Sequence, residues 1–120
     1  MKEIVVVDDN EMFLEVLKDF IELETDFKCV TFLNPEAALQ YVLEKKEIHT
    51  VISDYEMPQM NGLTLAKKIF EELPAMKIIV MSGHDTNYMR NNVLKAGIDE
   101  SKIRLLCKSN IINLHMLLNS

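Results

Sequence analysis

Five short apolar runs recur along the chain: "IVVV" at 4–7, "CVTF" at 29–32, "TVIS" at 50–53, "KIIVM" at 77–81 and "IRLLC" at 103–107. They are rich in β-branched residues and mostly lack alternation with polar positions. Strands covered on both faces of a parallel sheet read this way. Between them the apolar period lengthens to that of a helix. Phe13, Val16, Leu17, Phe20 and Ile21 form a first helical stripe. Asn34-Pro35-Glu36 predicts an N-cap with proline at the first helical position, leading into Ala38, Tyr41 and Val42. Leu63, Ala66, Ile69, Phe70 and Leu73 form a third stripe, and Met89, Val93 and Ala96 a fourth that Gly97 closes. Ile111, Leu114, Leu117 and Leu118 make a short fifth. Five strand–helix units in succession predict an α/β fold, a doubly wound parallel five-stranded sheet with right-handed crossovers.

That architecture directs attention to the residues after each strand, because ligands of open α/β sheets sit beyond the carboxyl ends of the strands, where strand order reverses. Asp8 and Asp9 come after the first run, Asp54 after the third, Ser82 after the fourth and Lys108 after the fifth. In a flavodoxin-like (βα)5 sheet of order 2-1-3-4-5, strands one and three are neighbours. The three carboxylates then converge, with Ser82 and Lys108 on one flank. Each residue has an ordinary alternative: Asp and Ser after a strand often cap the next helix, and a single Lys is usually solvated. The group is harder to dismiss, since clustered carboxylates require a cation or a raised pKa. An all-oxygen site with room for water suits Mg²⁺, and a neighbouring Lys suits a phosphoryl group.

Composition narrows the classes. The 120 residues fit one domain spanning 1–120, and 48% hydrophobic content argues against a disordered chain. A formal net charge of −6 argues against direct nucleic-acid binding and favours a basic protein partner. No apolar run approaches the length of a membrane span, and "MKEIVVVDDN" is no secretory signal, so a cytoplasmic protein is expected. Cys29 and Cys107 lack metal-type spacing and read as reduced thiols. His49, His84 and His115 form no cluster in sequence, and the eight methionines are scattered, as core filler is.

At "VVVDDN" (5–10), "DYEMPQMNG" (54–62), "IIVMSG" (78–83), "LKAG" (94–97) and Lys108 the chain resembles the receiver domains of two-component response regulators. The matches are spread over nearly its whole length. The resemblance implies that Asp54 accepts a phosphoryl group from a phosphohistidine on a sensor histidine kinase or phosphotransfer protein. It implies Mg²⁺ held by Asp9 and Asp54, by Asp8 mainly through water, and by the backbone carbonyl of Glu56. Lys108 pairs with Asp54 before transfer and with a phosphoryl oxygen after it. Ser82 matches the position that hydrogen-bonds the phosphoryl group and carries the signal. The output is a population shift in the face made by the fourth helix, fifth strand and fifth helix, which meets a downstream protein or a second copy in a homodimer. Such a domain catalyses only its own modification and is a switch rather than an enzyme.

Three departures fall in the signalling half. Leu105 stands where many receivers carry Tyr or Phe three residues before the Lys. Ser109 stands where proline after a cis bond is usual, and a cis bond before a non-proline residue costs about 2.5–4 kcal/mol, so a trans bond is expected. The stretch from Gly97 to Lys108 is longer than usual. In this family the positions of Glu56 and His84, two after Asp54 and Ser82, tune dephosphorylation. Two other readings remain: a receiver-fold interaction or dimerisation module working without phosphorylation, and a phosphatase using an aspartyl-phosphate. The phosphatase reading fits poorly, because Glu56 stands two residues after Asp54, where the Asp-x-Asp pattern has a second aspartate.

Overall fold

Consecutive residues of each apolar run serve opposite faces of one sheet. Val5, Val7, Val51, Ile78, Val80 and Ile103 point to one side, where they pack with Ala38, Val42, Leu63, Ala66, Ile69, Met89 and Val93. Ile4, Val6, Ile52, Ile79, Met81 and Leu106 point to the other, against Leu14, Leu17, Ile21, Leu114 and Leu118. Two apolar layers therefore sandwich the strands, which explains why the runs are continuous rather than alternating.

The structure is a computed structural model describing residues 2–45 and 47–119. Its strands are β1 (Glu3–Val7), β2 (Lys28–Phe32), β3 (Ile48–Asp54), β4 (Lys77–Ser82) and β5 (Ile103–Cys107). They are parallel, in the order β2-β1-β3-β4-β5. This is the predicted flavodoxin-like arrangement. The helices are α1 (Glu11–Glu24), α2 (Pro35–Glu44), α3 (Gly62–Glu72), α4 (Thr86–Lys95) and α5 (Leu114–Leu118). Helices α2, α3 and α4 cover one face, and α1 and α5 the other.

The helix starts use side-chain caps. Asn10, Asn34, Asn61 and Asp85 each accept a backbone N–H in the first turn of α1 to α4, and Pro35 opens α2 as expected. Gly97 ends α4 at φ 75°. Its N–H donates to the Leu94 carbonyl and the Ile98 N–H donates to that of Val93. This paired closure favours glycine because the left-handed backbone strains any side chain.

Two details differ from the apolar pattern. In α1 the sheet-facing residues are Leu14, Leu17 and Ile21, whereas Val16 is 61% exposed. Asp54 and Ser82 are the last residues of β3 and β4 rather than the first after them. Past Gly97 the chain makes a 3-10 turn at Glu100–Lys102, and a 3-10 stretch at Lys108–Asn113 precedes the short α5. No peptide bond among the described residues is cis, so Lys108–Ser109 is trans as expected.

Candidate functional site

The parallel sheet brings the carboxyl ends of β1 and β3 side by side, with Val7 in register with Ser53. Asp8 comes directly after Val7 and Asp54 directly after Ser53, so their carboxyls meet across the strand boundary. Asp9 joins them from the turn into α1. One carboxylate oxygen from each of the three lies within 4.8 Å of the others, the one such cluster of potential metal ligands among the described residues. Asp8 and Asp54 are buried and Asp9 is exposed. An open cleft of about 470 Å³ lies beside Asp9, lined also by Tyr55, Glu56, Met57, Pro58 and Asn61. The cluster is thus closed beneath and open to solvent on one side.

Lys108 reaches the cluster from the end of β5. Its Nζ lies 3.0 Å from Asp8 Oδ2 and 3.3 Å from Asp54 Oδ1. The second Asp8 oxygen accepts the Asn10 N–H at 2.9 Å, so the most buried carboxylate has partners on both oxygens. The Lys108 ammonium also sits 4.5 Å from the centroid of the Phe13 ring. Burial alone lowers the pKa of Lys108, but Asp8 and Asp54 outweigh it and raise the pKa overall. The ammonium is therefore a fixed charge.

Asp54 is in the opposite position. Burial, with the charge of Asp8 as the second cause, raises its carboxyl from 3.8 to about 6, and Lys108 offsets only part of this. Three carboxylates and one ammonium leave two negative charges unmatched. That deficit, the all-oxygen donor set and the solvent opening at Asp9 fit a hard divalent cation that keeps some of its water.

The turn between β3 and α3 fixes the backbone around Asp54. The Tyr55 N–H donates to the Met81 carbonyl at 2.7 Å, and the Gly62 N–H donates to the Tyr55 carbonyl at 2.8 Å. A Cβ on Gly62 would lie 2.5 Å from the Asp54 carbonyl oxygen, so only glycine lets α3 start this close to the end of β3. "MPQMNG" is thus the turn that presses the start of α3 against the end of β3.

Ser82 is buried at the end of β4, one strand from Asp54, and its hydroxyl accepts the His84 N–H at 3.0 Å. Glu56 and His84 occupy facing loops, with Nε2 of the imidazole 3.1 Å from Glu56 Oε1. Leu105 is half-buried against the α2–α3–α4 side of the core. The structure thus gathers Asp8, Asp9, Asp54 and Lys108 directly and keeps Ser82 at the adjoining strand end. Sequence reasoning missed the Phe13 platform and the Glu56–His84 pairing. Periodicity marks Phe13 only as part of an apolar stripe, and the loop pairing joins residues distant in sequence.

A model of the family described as "Response regulator receiver domain" matches residues 4–103. Among curated proteins, the chain is 28% identical over 95 residues to the transcriptional regulatory protein DegU of Brevibacillus brevis, covering 79% of this chain and 40% of that protein. It is 29% identical over 101 residues to ComA of Bacillus subtilis, covering 82% and 47%. The chain therefore spans less than half the length of these two relatives. Among solved structures, it resembles the response regulator TrrA from Thermotoga maritima in complex with Mg²⁺ and BeF, with TM-score 0.83, 28% identity and coverage of 99% and 97%. A receiver domain protein from Clostridium thermocellum gives TM-score 0.84 at 24% identity, covering 99% and 92%, and supports the fold alone.

Proposed function

The chain belongs to the response regulator receiver domain family, and from that membership we propose that it is a phosphorylation-controlled switch whose acceptor is Asp54. The observation that carries this reading is the position of Lys108, whose ammonium lies between Asp8 and Asp54 while Asp9 leaves the cluster open to solvent.

A carboxylate needs no base to become a nucleophile, but it attacks phosphorus only where the charge on the transferring group is neutralised. Asp9 and Asp54 would hold Mg²⁺, and the family resemblance adds Asp8, mainly through water, and the backbone carbonyl of Glu56. When bound, the ion neutralises charge on the phosphoryl oxygens. In the transfer, an Asp54 oxygen forms the new bond to phosphorus as the bond to the donor nitrogen breaks, and the electron pair leaves with the donor imidazole. Lys108 starts hydrogen-bonded to Asp54 and needs only a short swing to a phosphoryl oxygen. Ser82 lies within one strand of the product and offers a hydroxyl to it. The phosphoryl group then brings about two negative charges into a site already short of positive charge. That change biases the β4–α4 loop and the α4–β5–α5 face.

The donor is a phosphohistidine on a histidine kinase or phosphotransfer protein. The recipient of the signal is a protein that reads the α4–β5–α5 face, on this chain or on a second copy of it. No helix among the described residues is long and apolar enough to cross a membrane.

Incubation with a small-molecule phosphodonor and Mg²⁺, and then intact mass measurement, tests the reading. One phosphoryl adduct is expected on the wild type and none on Asp54→Asn. An equal adduct on both, or none on the wild type, overturns it.

A further inference from the structure

A phosphoryl group on Asp54 reaches a partner only if something on the surface moves with it. Leu105 packs its short aliphatic side chain into the α4 side of the core and brings no ring to the surface. The rings near the acceptor lie elsewhere. His84 and Tyr88 have ring centroids 4.5 Å apart, and Tyr88 meets Tyr55 edge-on at 6.0 Å. Tyr55 is the residue next to Asp54, and Tyr88 is in the first turn of α4, its N–H held by the Asp85 cap at 2.9 Å. His84 joins the two halves of the site. Its N–H binds the Ser82 hydroxyl, its Nε2 edge faces Glu56, and its ring lies against Tyr88.

We propose that His84 and Tyr88 are positioning residues that relay the state of Ser82 to α4, in place of an aromatic side chain on β5. The inference rests on Asp54 being the acceptor and adds the route by which its state leaves the site. A serine hydroxyl donates one hydrogen bond and accepts others. Ser82 therefore bonds a phosphoryl oxygen while still accepting the His84 N–H. Drawing the hydroxyl towards Asp54 pulls the His84 backbone with it. The imidazole then shifts between Glu56 and Tyr88, both of which stand on the rim. Because Tyr88 is anchored in the first turn of α4, its displacement re-aims the start of that helix. Tyr88 is 46% exposed, so its two positions present different surfaces to a partner. Glu56 holds the resting position through the 3.1 Å contact between its carboxylate and Nε2 of the ring.

The test uses the full chain with Mg²⁺ and beryllofluoride as phosphoryl analogue. Bound analogue is tracked by fluorine NMR and the amide exchange of α4 by mass spectrometry. In the wild type, the analogue is expected to change exchange across Thr86–Lys95. In His84→Ala and in Tyr88→Ala the bound fluorine signal is expected to persist while α4 exchange becomes the same with and without analogue. His84→Gln, which keeps a donor towards Glu56 but loses the ring against Tyr88, is expected to behave as His84→Ala. A full wild-type response of α4 in the two His84 variants overturns the relay alone. No bound fluorine signal in the wild type overturns both the relay and the acceptor assignment beneath it.

Discussion

The ammonium of Lys108 lies 4.5 Å from the centre of the Phe13 ring while it bonds Asp8 and Asp54. The ring gives the ammonium an aromatic face in addition to its two carboxylate partners. It limits where the long Lys side chain can go without competing for its hydrogen bonds. A cation over an aromatic face is worth roughly 0.5–2 kcal/mol, depending on desolvation. Phe13→Leu keeps an apolar side chain on α1 but removes the π face. Phosphorylation by a small-molecule donor is expected to slow by about two- to thirtyfold, with the fold intact. Lys108→Ala is expected to lose far more, because Asp8 and Asp54 are then left facing each other. Time-resolved intact mass measures both. An unchanged rate in Phe13→Leu would show that the carboxylates alone position the ammonium.

Asp54 makes the metal-free fold sensitive to pH. Its folded pKa is about 6 against an ordinary 3.8, so the folded state binds this proton more tightly than the unfolded chain does. The resulting stabilisation is complete below the unfolded value and is lost as pH rises through the folded one. At neutral pH without metal, folding is then weaker than on the acid side by on the order of 1–3 kcal/mol, allowing for partial solvent screening of the carboxyl. Asp54→Asn is neutral at every pH. In chelator at pH 7 it is expected to melt several degrees above the wild type, with the gap closing towards pH 4. Equal melting temperatures at pH 7 would contradict the burial and repulsion argued for this carboxyl.

Divalent cation removes the same cost by supplying charge. Mg²⁺ is expected to raise the melting temperature of the wild type in a concentration-dependent way, as any ligand of the folded state does. Asp8 and Asp9 are predicted to separate in this assay. Asp9 is exposed, so Asp9→Asn leaves the metal-free stability within about 0.5 kcal/mol and weakens the Mg²⁺ shift. Asp8 is fully buried and holds both Lys108 and the Asn10 N–H. Asp8→Asn removes the nearer of the two carboxylate charges that hold the partly buried Lys108 ammonium, and is expected to destabilise by about 1–3 kcal/mol as well. Thermal melts in chelator and in Mg²⁺ distinguish the two.

The strands and the acid cluster were legible in sequence for a physical reason. A strand covered on both faces must be apolar at consecutive positions, and a charged residue at its end stands out against that run. Topology then does the gathering, because parallel strands put their carboxyl ends on one edge. Two kinds of information were not legible. The apolar arc of α1 runs from Leu14 through Leu17 and Phe13 to Val16, wider than the face the sheet covers. Periodicity found Phe13, Val16, Leu17, Phe20 and Ile21 but left out the buried Leu14, and it does not show which edge of the arc meets the sheet. Phe13 beneath Lys108 and His84 against Glu56 depend on where segments distant in sequence come to rest. Ser82 is similar: its position was predictable, but its hydrogen bond to the His84 N–H depends on the turn after β4.

Gly62 offers the sharpest test of how closely α3 is built onto Asp54. At an ordinary exposed helix position, Gly→Ala stabilises by up to about 1 kcal/mol. Here the added Cβ would lie 2.5 Å from the Asp54 carbonyl oxygen and 3.2 Å from Ser53 Oγ. The carbonyl belongs to a strand end and cannot rotate away. Either α3 retreats and breaks the Gly62 N–H bond to Tyr55, or the end of β3 shifts and takes the Asp54 carboxyl from Lys108. Overpacking of this kind costs about 1–3 kcal/mol, so the sign of the substitution is expected to reverse. Gly83→Ala is the control, since nothing lies within 4 Å of its added Cβ. Urea unfolding should show Gly62→Ala destabilised and Gly83→Ala changed by less than about 0.5 kcal/mol. Phosphorylation of folded Gly62→Ala should also be slower, because the clash falls on the backbone of Asp54, the proposed acceptor. A Gly62→Ala protein as stable and as readily phosphorylated as the wild type would mean that α3 and β3 yield at this contact without disturbing the site.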